Sequence, residues 1–239
     1  FSNIILESLS NLMKAWKYDN TAYLNNEAKA SELKVNNWSF WSEGTVSFGK
    51  TGDSIISSAK KIQTSAITIG ADRRADNSRM VGLAIRLGND DIGISDAKSS
   101  LDLDTVNLTL YESRLHGEDK FIDSLIGIGT FKTDIVNAVG FSSTEGKRDG
   151  KQVFASFKIR ETFKKNKLNF TPNAKIDLGF STLSDFSEKG TANLKFNRQN
   201  IGTVITSIGG AVDNIIDFRS ATFKPFVEID YYADISPSS

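Results

Sequence analysis

The segment from Thr171 to Thr182 alternates without interruption: Thr171, Asn173, Lys175, Asp177, Gly179 and Ser181 on one side, Pro172, Ala174, Ile176, Leu178 and Phe180 on the other. Successive side chains of a strand face opposite sides, so such a strand has one wet face and one oily face. The split recurs along the chain at a length close to the roughly 9 to 11 residues with which a tilted strand crosses a bilayer. Charges sit in the middle of these segments: Asp72, Arg86, Lys158, Arg160, Lys175, Asp177, Glu228 and Asp230. Where a barrel has a wet lumen, opposite charges on that second face can pair across strands. The pattern therefore points to an all-β, antiparallel transmembrane β-barrel with those eight residues facing the lumen. A soluble up-and-down barrel or a sandwich also alternates, with its apolar face turned inward, and periodicity alone leaves it open.

Nine candidate strands follow from residue 38 onward. In 38–48, Trp38, Phe40, Val46 and Phe48 oppose Ser39, Glu43, Thr45 and Ser47, with Trp41 breaking the pattern. In 62–74, Ile67, Ile69 and Ala71 oppose Thr68, Gly70 and Asp72, and the tight link 74–77 leads to Val81, Leu83, Ile85 and Leu87 opposing Met80, Gly82, Ala84 and Arg86. The others are 102–113, 120–131, 152–163, 169–183, 192–213 and 223–233. The contrast is weak in 120–131, where Phe121, Leu125 and Phe131 share a face with Asp123, and the register is ambiguous in 192–213. Residues 88–101 and 132–150 read as long connecting loops, the pattern of a barrel with short turns on one side and longer loops on the other.

Residues 3–17 differ from the rest. Ile5, Leu9, Leu12 and Trp16 recur at helical spacing, which predicts one amphipathic helix. Residues 18–37 are polar and irregular and read as a linker.

Composition excludes more than it selects. The 29 basic and 29 acidic residues balance, so no net field argues for nucleic acid or an anionic surface. There is no Cys, hence neither a disulfide framework nor a thiolate metal site. No run of about 18 apolar residues occurs, which excludes a transmembrane helix but not a barrel. The chain begins at Phe1 without Met or a signal peptide, as expected of an excised or mature C-terminal part.

In order along the chain, Trp38-Ser39-Phe40-Trp41, Thr68-Ile69-Gly70-Ala71-Asp72, Val81-Gly82-Leu83-Ala84, Leu108-Thr109-Leu110-Tyr111 and Pro225-Phe226-Val227-Glu228-Ile229-Asp230-Tyr231 resemble the autotransporter β-domain of type V secretion. The resemblance implies a twelve-stranded outer-membrane barrel, a lumenal helix and an N-terminal passenger. Residues 1–37 then join passenger to barrel and 38–239 form the barrel domain. Family members end in further strands and a terminal aromatic residue read by the barrel-assembly machinery, whereas this chain stops at Pro237-Ser238-Ser239, so the domain is expected to be incomplete by about three strands. The opening Phe1-Ser2-Asn3-Ile4, with Leu12 and Trp16, also resembles the segment that joins subtilisin-like protease passengers to their barrels.

Candidate chemistry is sparse. His116, the only histidine, lies in the polar turn 115–120 and reads as a surface residue, with no catalytic triad or metal site around it. Asn25-Asn26 is a weak candidate for linker self-cleavage, because some members of the resembled family cleave between two asparagines, yet Asn36-Asn37 shows how common the pair is here. Gly127, Gly129, Gly209 and Gly210 lack the Lys-Ser/Thr of a phosphate loop and fit close approach or strand bending. Trp38, Trp41, Tyr231 and Tyr232 fall near strand ends, where aromatic girdles belong. The expectation is a non-enzymatic translocator without cofactor, partnered by outer-membrane lipid, its covalently attached passenger and the assembly machinery. A soluble binding or adhesion module and an outer-membrane diffusion porin are the alternatives.

Overall fold

Alternation of apolar and polar side chains produces nine long strands in the computed structural model, which describes residues 33–35, 38–51, 60–94, 99–139, 142–190, 195–217, 222–223 and 225–236. They are β1 (Trp38–Thr51), β2 (Lys60–Arg74), β3 (Arg79–Ile94), β4 (Ser99–His116), β5 (Lys120–Val139), β6 (Ser142–Glu161), β7 (Leu168–Leu183), β8 (Gln199–Asn214) and β9 (Phe226–Asp234). Each pairs antiparallel with the next in sequence, an up-and-down meander without crossovers. Leu33–Val35 adds a short strand at the β1 edge. Among the described residues no ladder joins β9 to β1. The predicted helix at 3–17, the linker 18–37 other than 33–35, and Asn25-Asn26 lie outside the described residues.

Tight turns lie at 75–78, 117–119 and 166–167, all at one end of the sheet. Asp76 shapes the first: its Oδ1 accepts from both the amide and the hydroxyl of Ser78, and those two bonds hold its carboxyl below the usual carboxylate range. Asn166 and Gly117 supply the positive φ in the other two, 57° and 76°.

Two sequence expectations need correction. The loops read over 88–101 and 132–150 are mostly ladder: β3 runs to Ile94 and β4 starts at Ser99, while β5 runs to Val139 and β6 starts at Ser142. These extensions hid because the outward face turns polar there, with Asn89, Asp91, Asp102, Asp104, Lys132 and Asp134 exposed, while Ile92, Leu101 and Leu103 face inward, so the oily-outside pattern stops. Cross-strand pairs hold them, among them Lys147 Nζ to Asp134 Oδ2 at 3.0 Å and Asn89 Nδ2 to Asp104 Oδ1 at 2.9 Å. The segment 192–213 is the reverse case, since its long strand begins only at Gln199. Phe196 belongs to a short hairpin, Phe186–Ser187 paired with Lys195–Phe196, whose two rings stack at 4.6 Å.

A single sheet has no second layer to bury one of its faces, so it must curl around that face. It does: Trp41 on β1 reaches Tyr111 on β4, and Arg86 on β3 lies beside Thr45 on β1. Neighbouring strands are about 4.8 Å apart, so flat strands three places apart would be beyond such contact.

Candidate functional site

The buried face carries the polar and charged side chains, together with apolar clusters such as Leu103, Phe131 and Leu183, and the exposed face is oily. Along β4, Val106, Leu108 and Leu110 are 50%, 44% and 58% exposed, whereas the interleaved Thr105, Asn107 and Thr109 are 9%, 7% and 2% exposed. The same inversion runs through β2, β3, β6 and β7, where Ile67, Ile69, Leu83, Ile85, Val153, Phe157 and Leu178 are outside and Thr68, Asp72, Arg86, Gln152, Ser156, Lys175 and Asp177 are buried. A protein folded around water-excluded apolar contacts would do the opposite.

Of the eight charges singled out in the sequence, Asp72, Arg86, Arg160, Lys175 and Asp177 are buried; Lys158, Glu228 and Asp230 are half-buried on the same face. Asp72 Oδ2 accepts from the Tyr111 hydroxyl at 2.9 Å, and the Tyr111 hydroxyl oxygen in turn accepts from Trp41 Nε1 at 2.9 Å. Trp41 is thus a member of a relay across four strands, which explains its break with the apolar side of β1 and removes it from any girdle. Asp123 is the centre of a second group. Its Oδ1 accepts from Ser113 Oγ at 2.6 Å and its Oδ2 from Arg160 Nε at 2.9 Å, while the guanidinium lies 4.4 Å from the Phe121 ring centroid. Lys175 and Asp177, two apart on β7, form an ion pair at 2.7 Å, and Asn173 Nδ2 donates to Asp230 Oδ1 at 3.1 Å. Arg86 Nη1 lies 3.4 Å from Thr68 Oγ1.

Glycines make this face buildable. Gly70, Gly82, Gly127 and Gly150 stand directly across a ladder from Trp41, Tyr111, Phe154 and Phe131. A Cβ at any of the four would lie 2.1 to 2.3 Å from the opposing ring. The ring lies flat over its glycine instead of projecting from the face, which leaves room inside the curl. Gly129 does the same for Asn107, whose Oδ1 accepts from Gln152 Nε2 at 2.6 Å across the intervening strand. Gly127 and Gly129, read from sequence as sites of close approach or strand bending, thus each lie beneath a cross-strand side chain.

At the long-loop end Arg148 fastens the connection between β7 and β8. Its Nε donates to the Ser184 carbonyl at 2.8 Å and its Nη2 to the Asn197 carbonyl at 3.1 Å, and its guanidinium lies 5.2 Å from the Phe186 ring centroid. Phe186 in turn covers Gly146, and Glu188 accepts from Thr144 Oγ1 at 2.8 Å. Sequence reasoning missed Arg148 because it placed 132–150 in a loop, and Glu188 because the residues after 183 read as a turn. Among the described residues no cluster of His, Asp and Glu suits a metal ion, and His116 is exposed at the end of β4.

A family model, the autotransporter beta-domain, matches residues 40–239. The translocator domain of autotransporter NalP from Neisseria meningitidis superposes with a TM-score of 0.72 at 13% identity, covering 97% of this chain and 78% of that one. The beta domain of the Bordetella autotransporter BrkA gives 0.63 at 12% identity, covering 83% and 79%. No curated relative matches by sequence. At such identities the structural likeness establishes the fold, and the family match reaches further.

Proposed function

From the premise that the chain belongs to the autotransporter β-domain family, we propose that residues 38–239 form the wall of a conduit whose wet side is the buried polar face, and that residues 1–37 form the helix and linker joining it to a passenger. The domain is an outer-membrane translocator and carries its passenger covalently. The observation that carries the reading is the inversion of the sheet, oily outside and charged inside, since only lipid makes the first favourable and only a wet or polar content the second.

Asp72, Arg86, Lys158, Arg160, Lys175, Asp177, Glu228 and Asp230 line the lumen in this reading. Support comes from hydrogen-bonding capacity left over on that face: Arg86 Nε, Gln152 Oε1, Ser156 Oγ and Asp177 Oδ1 find no partner among the described residues. A dry interior would make each such group costly, whereas water or a polar segment threaded through the curl satisfies them. The helix at 3–17 is that segment, with its apolar stripe on one wall and Ser8 and Lys14 toward the charges. No step of this function requires a bond to be made or broken by the domain, so it acts without catalytic residue or cofactor. Barrel-assembly machinery inserts it, and a subtilisin-like protease is the passenger class we favour.

Facing is directly testable because the chain has no native Cys. Single cysteines at Leu83, Ile85, Leu178, Val227 and Ile229 should react with a lipid-soluble maleimide and resist a charged one. Cysteines at Arg86, Lys175, Asp177 and Glu228 should do the reverse in the folded, membrane-inserted chain. Identical behaviour of the two sets would sink the barrel reading. Removing residues 1–30 should raise conductance if the helix occupies the lumen; unchanged conductance would place it elsewhere.

A further inference from the structure

On β2, β3 and β4 the outward apolar band ends differently at its two borders. Toward the long loops it gives way to Asn89 and Asp91 on β3 and to Asp104 and Asp102 on β4. Toward the short turns it gives way to Arg73 on β2, Arg79 on β3 and Arg114 on β4. Arg79 and Arg114 are directly opposite each other in the ladder, and Arg73 is paired with Val81, one diagonal step from Arg79. Like charges directly opposite on one face destabilise a sheet unless something neutralises them. The carboxylates present meet this need only in part: Asp76 lies 3.6 Å from Arg79 Nε, beyond hydrogen-bond distance, and Glu112 holds Arg114 from the side at 3.1 Å. Three guanidinium groups thus face two carboxylates, and Arg73 additionally stacks over Trp38 with 5.2 Å to the ring centroid.

We propose that Arg73, Arg79 and Arg114, with Trp38 beside them, form a binding site for the phosphodiester of an anionic phospholipid in the leaflet at the short-turn end. The site is continuous with the lipid-facing band, so a lipid whose acyl chains lie along Val81, Leu83 and Ile69 brings its headgroup to this level. Two opposed guanidinium forks match the non-bridging oxygens of a phosphodiester, and an indole at the same level suits the interface. Short turns lie on the periplasmic side of outer-membrane barrels, so the occupant is a glycerophospholipid. The proposal rests on the membrane-barrel reading.

The full chain, refolded into phosphatidylcholine vesicles, is tested with a small fraction of brominated phosphatidylglycerol or brominated phosphatidylcholine. The Trp38 signal is taken as the difference from Trp38→Phe. Attraction on the order of one basic residue's worth enriches the anionic lipid about fivefold, so brominated phosphatidylglycerol should quench Trp38 at correspondingly lower mole fraction. The pair R79Q and R114Q should abolish the preference, and the charge-keeping pair R79K and R114K should retain most of it. Excess inorganic phosphate should leave the quenching unchanged; relief by phosphate would mean a simple anion site and overturn the lipid proposal. Equal quenching by both lipids in the wild-type chain would overturn it without any variant having to fold. Absence of quenching by either lipid would overturn the membrane reading itself, and the proposal with it.

Discussion

The two faces of the sheet are built on different principles. The outward face is generic: Val, Ile, Leu and Phe alternate along β2 to β7 with no specified partner, and what they require is an apolar solvent. The inward face is particular, because Trp41, Tyr111 and Asp72 form one relay, Ser113, Asp123 and Arg160 another, and rings fit only over glycine. A face that only needs a solvent tolerates exchange among apolar residues. A face held by directed bonds does not.

The largest expected effect breaks the outward rule. Leu178→Arg places a guanidinium on the exposed face of β7, at a position 43% exposed beside Phe180. Near the bilayer midplane such a change costs about 2 to 4 kcal/mol, read as a lower denaturant midpoint for unfolding from vesicles and loss of heat-modifiable migration. An unchanged midpoint would mean that Leu178 does not face hydrocarbon.

Next in size is a contrast between two glycines. Gly82→Val drives a side chain into the Tyr111 ring, 2.3 Å from the position of the new Cβ, and must displace the hydroxyl that links Trp41 to Asp72. Overpacking of this kind costs roughly 1 to 3 kcal/mol. Gly44 on the outward side of β1 has open space around it, so Gly44→Val should stay within about 0.5 kcal/mol of wild type. Equal costs in a side-by-side urea titration would remove the distinction between the faces.

Alternation made much of this legible from sequence. The nine long strands, their order of facing and the mid-strand charges were all visible, because period two survives wherever one face meets lipid. The ambiguous 192–213 resisted because Ile201 and Ile205 on the inward face and Val204 and Ile208 on the outward face are all apolar, so composition does not tell its faces apart. What escaped was of two kinds. Where the outward face meets water instead of lipid, as at 88–94 and 132–139, the oily-outside pattern stops although the ladder continues. Trp41, Tyr111, Asp123 and Arg148 have roles set by partners many residues away, and a single strand's pattern carries no record of what lies across from it. Trp41 did leave a trace, as an aromatic on the wrong face of an otherwise regular strand.

A smaller, local effect is expected at the loop end. Arg148→Ala removes the two bonds to the Ser184 and Asn197 carbonyls and the contact with Phe186 that fasten the β7–β8 connection. Each lost bond is worth about 1 kcal/mol. The global unfolding midpoint should barely move, while protease cutting between 184 and 198 and fluctuation of single-channel current both rise. A rigid connection in the variant would show that Arg148 is not its fastening.

The smallest effect distinguishes the two borders of the outward band through pH. Asp102 lies beyond Val106 at the long-loop end of β4, directly opposite Asp91 on one side and Asp134 on the other. Its carboxyl is raised above the usual range, by partial desolvation first and then by Asp91, Asp134 and Asp104. A carboxyl raised on folding binds its proton more tightly in the folded state. Its contribution is therefore fully present below the unfolded carboxylate value near 3.8 and is lost as pH rises through the higher folded value. Stability should thus decline modestly from acid toward neutral pH at this locus, discounted for exposure to solvent and salt. Asp102→Asn should flatten that decline and leave the variant slightly more stable at neutral pH, measured by urea unfolding across the range at low and high salt. A steeper decline in the variant, or a stabilisation that grows with added salt, would show that the three aspartates do not repel one another across the ladder.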